Sequence, residues 1–224
     1  MLDPSEVEQG SAAWHACRLG KATASRMGDI MARVKPSKDN PNGYSARRKK
    51  YMRELLVERL TGVDQAHFVS AAMEYGAEME EMAAAAYEAK NGVIVETCGF
   101  FDHPFIPMSG ASPDRLIGAH GILEIKDPTT NTHLDTILEG TYDEDYLYQM
   151  AWEYECLPEG YWVDFVSYDA RLPSNAGYFQ ERYLPWPSLL CDMRAEVIKF
   201  LAELDELEAR VRAYKGVIWE LKYC

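Results

Sequence analysis

Two carboxylates and a lysine stand where they can act together. Asp114 follows Ser112-Pro113, and Glu124 and Lys126 lie two residues apart in Leu123-Glu124-Ile125-Lys126. A strand alternates its side chains, so Glu124 and Lys126 share one face while Leu123 and Ile125 take the other. Gly118-Ala119-His120-Gly121 between two short apolar runs predicts a hairpin turn. That turn folds Asp114 back beside the strand end that carries Glu124 and Lys126. Paired carboxylates are hard oxygen ligands suited to Mg²⁺ or Mn²⁺. An ammonium beside such a cation can hold or activate a water for phosphodiester hydrolysis. The same residues also fit a surface aspartate and a cross-strand Glu–Lys ion pair.

The elements that must position these groups follow from periodicity and punctuation. Residues 11–18 and 24–34 read as short helices, with Thr23 or Ser25 available as a cap. A turn-rich loop, Lys35 to Gly43, leads into a helix from Tyr44 to Leu60. A second long helix spans Ala71 to Asn91 and is closed by Asn91-Gly92. Strands are predicted over 93–100, 114–119, 121–126, 161–168 and 178–184, with helices over 131–139, 143–156 and 187–215. Helices before, between and after the strands predict one α/β domain over 1–224, built on a central mixed sheet.

Composition bounds the partners. The chain has 224 residues, 47% apolar and 26% charged, which suits a globular protein. No apolar run reaches the ~18 residues of a membrane span, and the N-terminal residues carry no secretory pattern. The net charge of −13 is unevenly spread. Residues 18–59 hold twelve Lys/Arg against four acids, or +8, and the other 182 residues carry −21. Such asymmetry fits a protein that grips a polyanion locally, and equally a solvated helix face followed by a polar loop. Cys17, Cys98, Cys156, Cys191 and Cys224 are scattered, odd in number and without a CxxC pair. They predict neither a zinc site, nor an iron–sulfur cluster, nor a disulfide framework, and so a reducing, cytoplasmic setting. His15, His67, His103, His120 and His133 show no ligand spacing. Trp14 and Trp152 read as core residues.

The ordered motifs resemble the PD-(D/E)XK nuclease superfamily, and within it the phage lambda exonuclease, or YqaJ-type viral recombinase (alkaline exonuclease), family. Glu8-Gln9-Gly10, Trp14-His15, Arg18-Leu19-Gly20 and Thr23-Ala24-Ser25 resemble the family's N-terminal signature. Tyr75-Gly76 with Glu80 resembles its helix-borne acidic motif, Pro113-Asp114 and Glu124-Ile125-Lys126 its metal motif, and Tyr146 with Gln149 its later glutamine motif. The family often has a second glutamine two residues on, where this chain has Ala151.

The resemblance implies a restriction-endonuclease-like fold. It implies a Mg²⁺-dependent (or Mn²⁺-dependent) 5′→3′ exonuclease on double-stranded DNA ends, leaving 3′ single strands. Asp114, Glu124, the Ile125 carbonyl and Glu80 would hold two metal ions, with Glu78 and Glu81 as competitors for the place of Glu80. Lys126 and Gln149 would act on the water, and Arg18 with Ser25 would hold the 5′-phosphate. Also implied are a homotrimeric ring, a single-strand annealing recombinase as partner, and a bacterial or phage-infected cell as setting. The same metal residues would serve a structure- or site-specific endonuclease, and a non-catalytic DNA-binding scaffold would retain the fold without turnover.

Overall fold

The computed structural model describes residues 3–64, 71–157 and 161–215; Cys224 and His67 lie outside them. The helices are α1 (Ala12–Arg18), α2 (Met27–Met31), α3 (Ala46–Thr61), α4 (Ala71–Asn91), α5 (Thr130–Glu139), α6 (Glu144–Cys156) and α7 (Pro187–Arg212). The strands are β1 (Ala22–Thr23), β2 (Val95–Glu96), β3 (Phe101–Asp102), β4 (Ser109–Ala111), β5 (Arg115–Ile117), β6 (Gly121–Lys126), β7 (Trp162–Tyr168) and β8 (Tyr178–Tyr183). The main sheet runs β2-β5-β6-β7-β8, and a small sheet runs β1-β4-β3. In the main sheet β6 and β7 are parallel and every other pairing is antiparallel. A parallel pair needs a long crossover, and α5 and α6 supply it. This is the expected mixed α/β architecture.

Local chemistry sets the helix ends. Ser45 accepts from the Arg48 N–H to start α3, Thr129 from Thr132 to start α5, and Asp143 from Asp145 to start α6. Gly62 at φ 70° closes α3, the left-handed position that glycine fills without strain. Leu123 and Ile125 pack with Ile117 and Val166 against Ala83, Ala84 and Tyr87 of α4. Ile122, Val163 and Phe165 face the opposite way, into a core shared with Met150, Ala151 and Trp152 of α6 and with α7. Trp152 is thus in the core, as expected.

Two expectations need correction. The strand expected over 93–100 is only Val95–Glu96, and Phe101–Asp102 pairs in the other sheet. The chain between them is held instead by the N-terminal segment: Gln9 Nε2 donates to the Cys98 carbonyl, and the Gly99 N–H to the Ser5 carbonyl. The helix expected over 24–34 is a 3-10 turn at Ala24–Arg26 followed by α2. It stops at Met31 because Arg33 turns back and donates to the carbonyls of Ile30, Met31 and Ala32. Among the described residues no helix is long and apolar enough to cross a membrane.

Candidate active site

The hairpin delivers Asp114 where its spacing predicted. Arg115 pairs with Leu123 and Ile117 with Gly121, and Gly118 makes the turn at φ 54°. Asp114 Oδ2 accepts from the Ile125 N–H at 2.7 Å, which ties the carboxylate to the strand carrying Glu124 and Lys126. Gln9 adds a brace, its Nε2 donating to the Pro113 carbonyl at 2.7 Å.

Glu124 and Lys126 project under α6. Lys126 Nζ donates to Glu124 Oε1 at 2.5 Å and to Gln149 Oε1 at 3.1 Å. Gln149 Nε2 donates to Glu124 Oε1 at 2.5 Å and to Glu153 Oε1 at 3.0 Å. Glu153 was not singled out from the sequence, although it follows Gln149 by four residues and so shares its helix face. Glu124 and Glu153 are both wholly buried, and one oxygen of each, Oε2, has no hydrogen-bond partner among the described residues.

The cluster has more anionic groups than cations. Burial, and then the charge of Glu124, push the Asp114 carboxyl up to about 7, against the opposing pull of Lys126 and the Ile125 N–H. Burial and Glu124 likewise drive Glu153 well above the ordinary carboxylate range. Burial disfavours the Lys126 ammonium, but Glu124 and Asp114 outweigh it and hold its pKa above the ordinary value. One lysine thus faces three carboxyl groups, and an unpartnered Glu124 oxygen adjoins them. That donor set fits a hard divalent cation. Among the described residues no three His, Cys, Asp or Glu side chains already stand as a ligand set.

Glu80 is placed differently. Its Oε1 takes Arg115 Nη1 at 2.5 Å, while Glu81 Oε1 takes Arg115 Nη2 at 2.5 Å. Both neighbours on α4 therefore answer one buried arginine, and Glu78 is exposed. Burial and the nearby Asp114 nonetheless raise the Glu80 pKa, which puts its carboxyl within the field of the cluster. A cleft of about 550 Å³ opens here, lined among others by Gln9, Glu80, Glu81, Asp114 and Arg115.

Among the described residues Arg18 and Ser25 make no hydrogen bond to Lys126, Glu124 or Asp114, but Arg18 reaches the segment that leads into Asp114. Arg18 stacks on the Trp14 ring, 4.1 Å from its centroid, and reaches Ser112 Oγ at 3.4 Å. Trp14 Nε1 donates to the same hydroxyl at 2.9 Å, so Trp14 is the arginine's platform and not a core residue. Burial lowers the Arg18 pKa, and among the described residues no carboxylate comes within ion-pair distance of it. Ser25 is exposed, with its hydroxyl 3.5 Å from that of Thr23. Thr23 occupies the cap position of its 3-10 turn but makes no side-chain cap bond.

The basic block is largely paired with acids, some its own (Asp29 and Glu54) and others from the rest of the chain. Lys21 pairs with Asp102, Arg26 with Asp29 and Glu54, and Arg33 with Glu196. Arg47 pairs with Asp29 and Asp145, Arg48 with Glu203, Lys50 with Glu54, and Arg59 with Asp205 and Glu208. Much of the +8 is therefore a fold seam and not a grip on a polyanion.

Comparison with known proteins identifies the family and the fold. Residues 13–156 match the YqaJ-like viral recombinase domain. The crystal structure of an alkaline exonuclease, LHK-Exo from Laribacter hongkongensis, is 41% identical, covering 90% of this chain and 96% of that one at a TM-score of 0.79. A structure of LHK-Exo in complex with dAMP aligns equally well. A phage related exonuclease from Haemophilus somnus 129PT is 18% identical over 85% of this chain and 96% of its own, with a TM-score of 0.65, and shows the fold alone. The fold is restriction-endonuclease-like. No curated protein sequence matches the chain.

Proposed function

From the premise that this chain belongs to the YqaJ-like viral recombinase domain family, we propose that it is a Mg²⁺-dependent 5′→3′ exonuclease. It digests one strand of double-stranded DNA from an end and leaves a 3′ single strand for recombination by strand annealing. The observation that carries this reading is the convergence of Asp114, Glu124, Lys126 and Gln149 at one sheet end, with a Glu124 oxygen left without a partner.

Asp114, Glu124 and the Ile125 carbonyl would hold the metal, with Glu80 as a further carboxylate once it leaves Arg115. Two Mg²⁺ ions, with Mn²⁺ as a substitute, would supply stabilisation of charge on the attacking and leaving oxygens of an in-line displacement. Lys126 Nζ and the Gln149 amide hold the hydrolytic water. Arg18, a guanidinium without a carboxylate partner among the described residues, receives the terminal 5′-phosphate, for which its planar fork is suited. Ser25, on the segment after Arg18, assists it. A homotrimeric ring around the duplex and a single-strand annealing recombinase complete the proposed assembly. Neutralisation of the basic block fits this, because encirclement does not require a strongly basic surface.

The test is digestion of linear duplex, with and without 5′-phosphate, in Mg²⁺ or in EDTA. The expected result is Mg²⁺-dependent loss of the 5′ strand, faster on phosphorylated ends, with Arg18→Ala removing that preference. Digestion of covalently closed circles would instead mark an endonuclease. DNA binding without any product would mark a scaffold.

A further inference from the structure

We propose that Glu153 is a positioning residue for hydrolysis: it locks the orientation of the Gln149 amide and, through that amide, the place of the Lys126 ammonium. The proposal rests on the exonuclease reading above.

Glu153 has no solvent exposure, and no lysine or arginine of the described residues pairs with it. Among the described residues its Oε2 has no hydrogen-bond partner. Burying a carboxyl in this way costs stability, and an apolar side chain of similar volume would not incur that cost. The benefit lies in what Oε1 does. It accepts from Gln149 Nε2 at 3.0 Å, one helical turn earlier on α6. Glu124 Oε1 takes the same nitrogen at 2.5 Å. An amide nitrogen carries two hydrogens, and both are thereby committed. The amide oxygen must then face away from the two carboxyls, and it sits 3.1 Å from Lys126 Nζ. Reversing the amide would set donor against donor at Lys126, bring its oxygen against both carboxyls and leave Glu153 Oε1 without a donor.

Glu124 cannot hold this orientation alone. Its Oε1 is already shared with Lys126 at 2.5 Å, and Glu124 is also the carboxylate expected to hold the metal. When Glu124 serves a cation, Glu153 is the acceptor that still keeps the Gln149 oxygen toward the lysine.

The test compares Glu153→Met and Glu153→Gln in the full chain. It measures steady-state digestion of 5′-phosphorylated duplex in Mg²⁺, thermal unfolding in EDTA, and hydrogen exchange of the Gln149 side-chain amide by ¹⁵N NMR. Methionine fills the space without an acceptor. Its kcat should fall about 10- to 100-fold, as loss of a supporting shell does, while KM stays within about twofold and Tm is unchanged or higher. Glutamine restores an acceptor oxygen and should keep kcat within about threefold of wild type. The Gln149 amide hydrogens should exchange slowly in the wild type and the Gln variant, and faster in the Met variant. A Met variant with wild-type kcat overturns the proposal. So does one that unfolds or loses Tm along with activity, because Glu153 would then be a structural anchor. A Gln variant as impaired as Met overturns it too. A wild type that digests no DNA overturns the exonuclease reading and the catalytic role with it, while the exchange rates still report on the Glu153–Gln149 contact.

Discussion

Arg48 and Glu124 are both charged side chains inside the protein, at 1% and 0% exposure, yet their surroundings differ in kind. Arg48 lies between α3 and α7 with Glu203 Oε2 at 2.6 Å, and its guanidinium sits 3.7 Å from the Tyr44 ring centroid. The Tyr44 hydroxyl in turn donates to Glu203 Oε1. One cation meets one anion, and the Tyr44 and Phe200 rings lie against the guanidinium, whose Nε and Nη2 have no hydrogen-bond partner among the described residues. Glu124 meets Lys126, but Asp114 and Glu153 press in on the same lysine. The first arrangement is balanced and holds two helices together. The second is left short of positive charge, which costs stability and underlies the proposed cation site.

That contrast can be broken most forcefully at the cluster. Asp114→Ala and Glu124→Ala should each reduce DNA digestion by more than about a thousandfold, the scale of removing an electrostatic stabiliser of the transition state. In EDTA their melting temperatures should change little, because relief of like-charge crowding offsets the bonds each loses, Asp114 to the Ile125 N–H and Glu124 to Lys126 and Gln149. Lys126→Ala should lose turnover on a similar scale while still binding DNA. Near-normal rates in either carboxylate variant would remove the metal assignment, and a large drop in Tm would make the cluster structural.

At the seam the pattern should reverse. Arg48→Met deletes the cation but keeps apolar volume, and leaves Glu203, about a third exposed, with the Tyr44 hydroxyl but without the arginine. Unfolding in urea should show a loss of roughly 1–3 kcal/mol, with kcat unchanged in the folded fraction. A variant of full stability but low kcat would reassign Arg48 to function.

The smallest effect is a difference in sign between two aspartates. Asp169 is held by Arg171 and Thr130, and those bonds lower its pKa to about 2 from an ordinary 3.8. A depressed carboxyl stabilises the fold above its unfolded pKa and loses that contribution as pH falls through the folded one. The wild type should therefore lose Tm between about pH 4 and 2, and the gap between it and Asp169→Asn should close over that window. Asp114 has the opposite sign. Raised to about 7 by burial and Glu124, it binds more protons when folded, so metal-free stability falls as pH rises from about 4 toward 7. Asp114→Asn should flatten that slope in a pH series of melts in EDTA.

Much of this site was legible in the order of residues. The two-residue period of a strand put Glu124 and Lys126 on one face, and the glycine turn returned Asp114 to them. Those are local rules acting over a dozen residues. Gln149 and Glu80 came only from family resemblance, because nothing local says that α6 lies over β6 or that α4 lies beside Arg115. Glu153 shows the limit most sharply. Its spacing from Gln149 was visible, but a glutamate on a helix is usually solvated, and only the packing of α6 onto the sheet buries it.

The sequence by itself determined the mixed α/β class, the closure of α4 at Asn91-Gly92, and the β5–β6 hairpin with its acidic and basic pair. These depend on backbone preferences and side-chain alternation, which act between near neighbours. Only the tertiary structure decided that residues 95–102 divide between two sheets, that Arg115 claims both Glu80 and Glu81, that the basic block is matched by acids of α6 and α7, and that Glu153 supports the glutamine. Each of these depends on packing between elements far apart in the chain, and their energies depend on burial and on the sum of charges in one small volume. Neither quantity exists until the chain has folded.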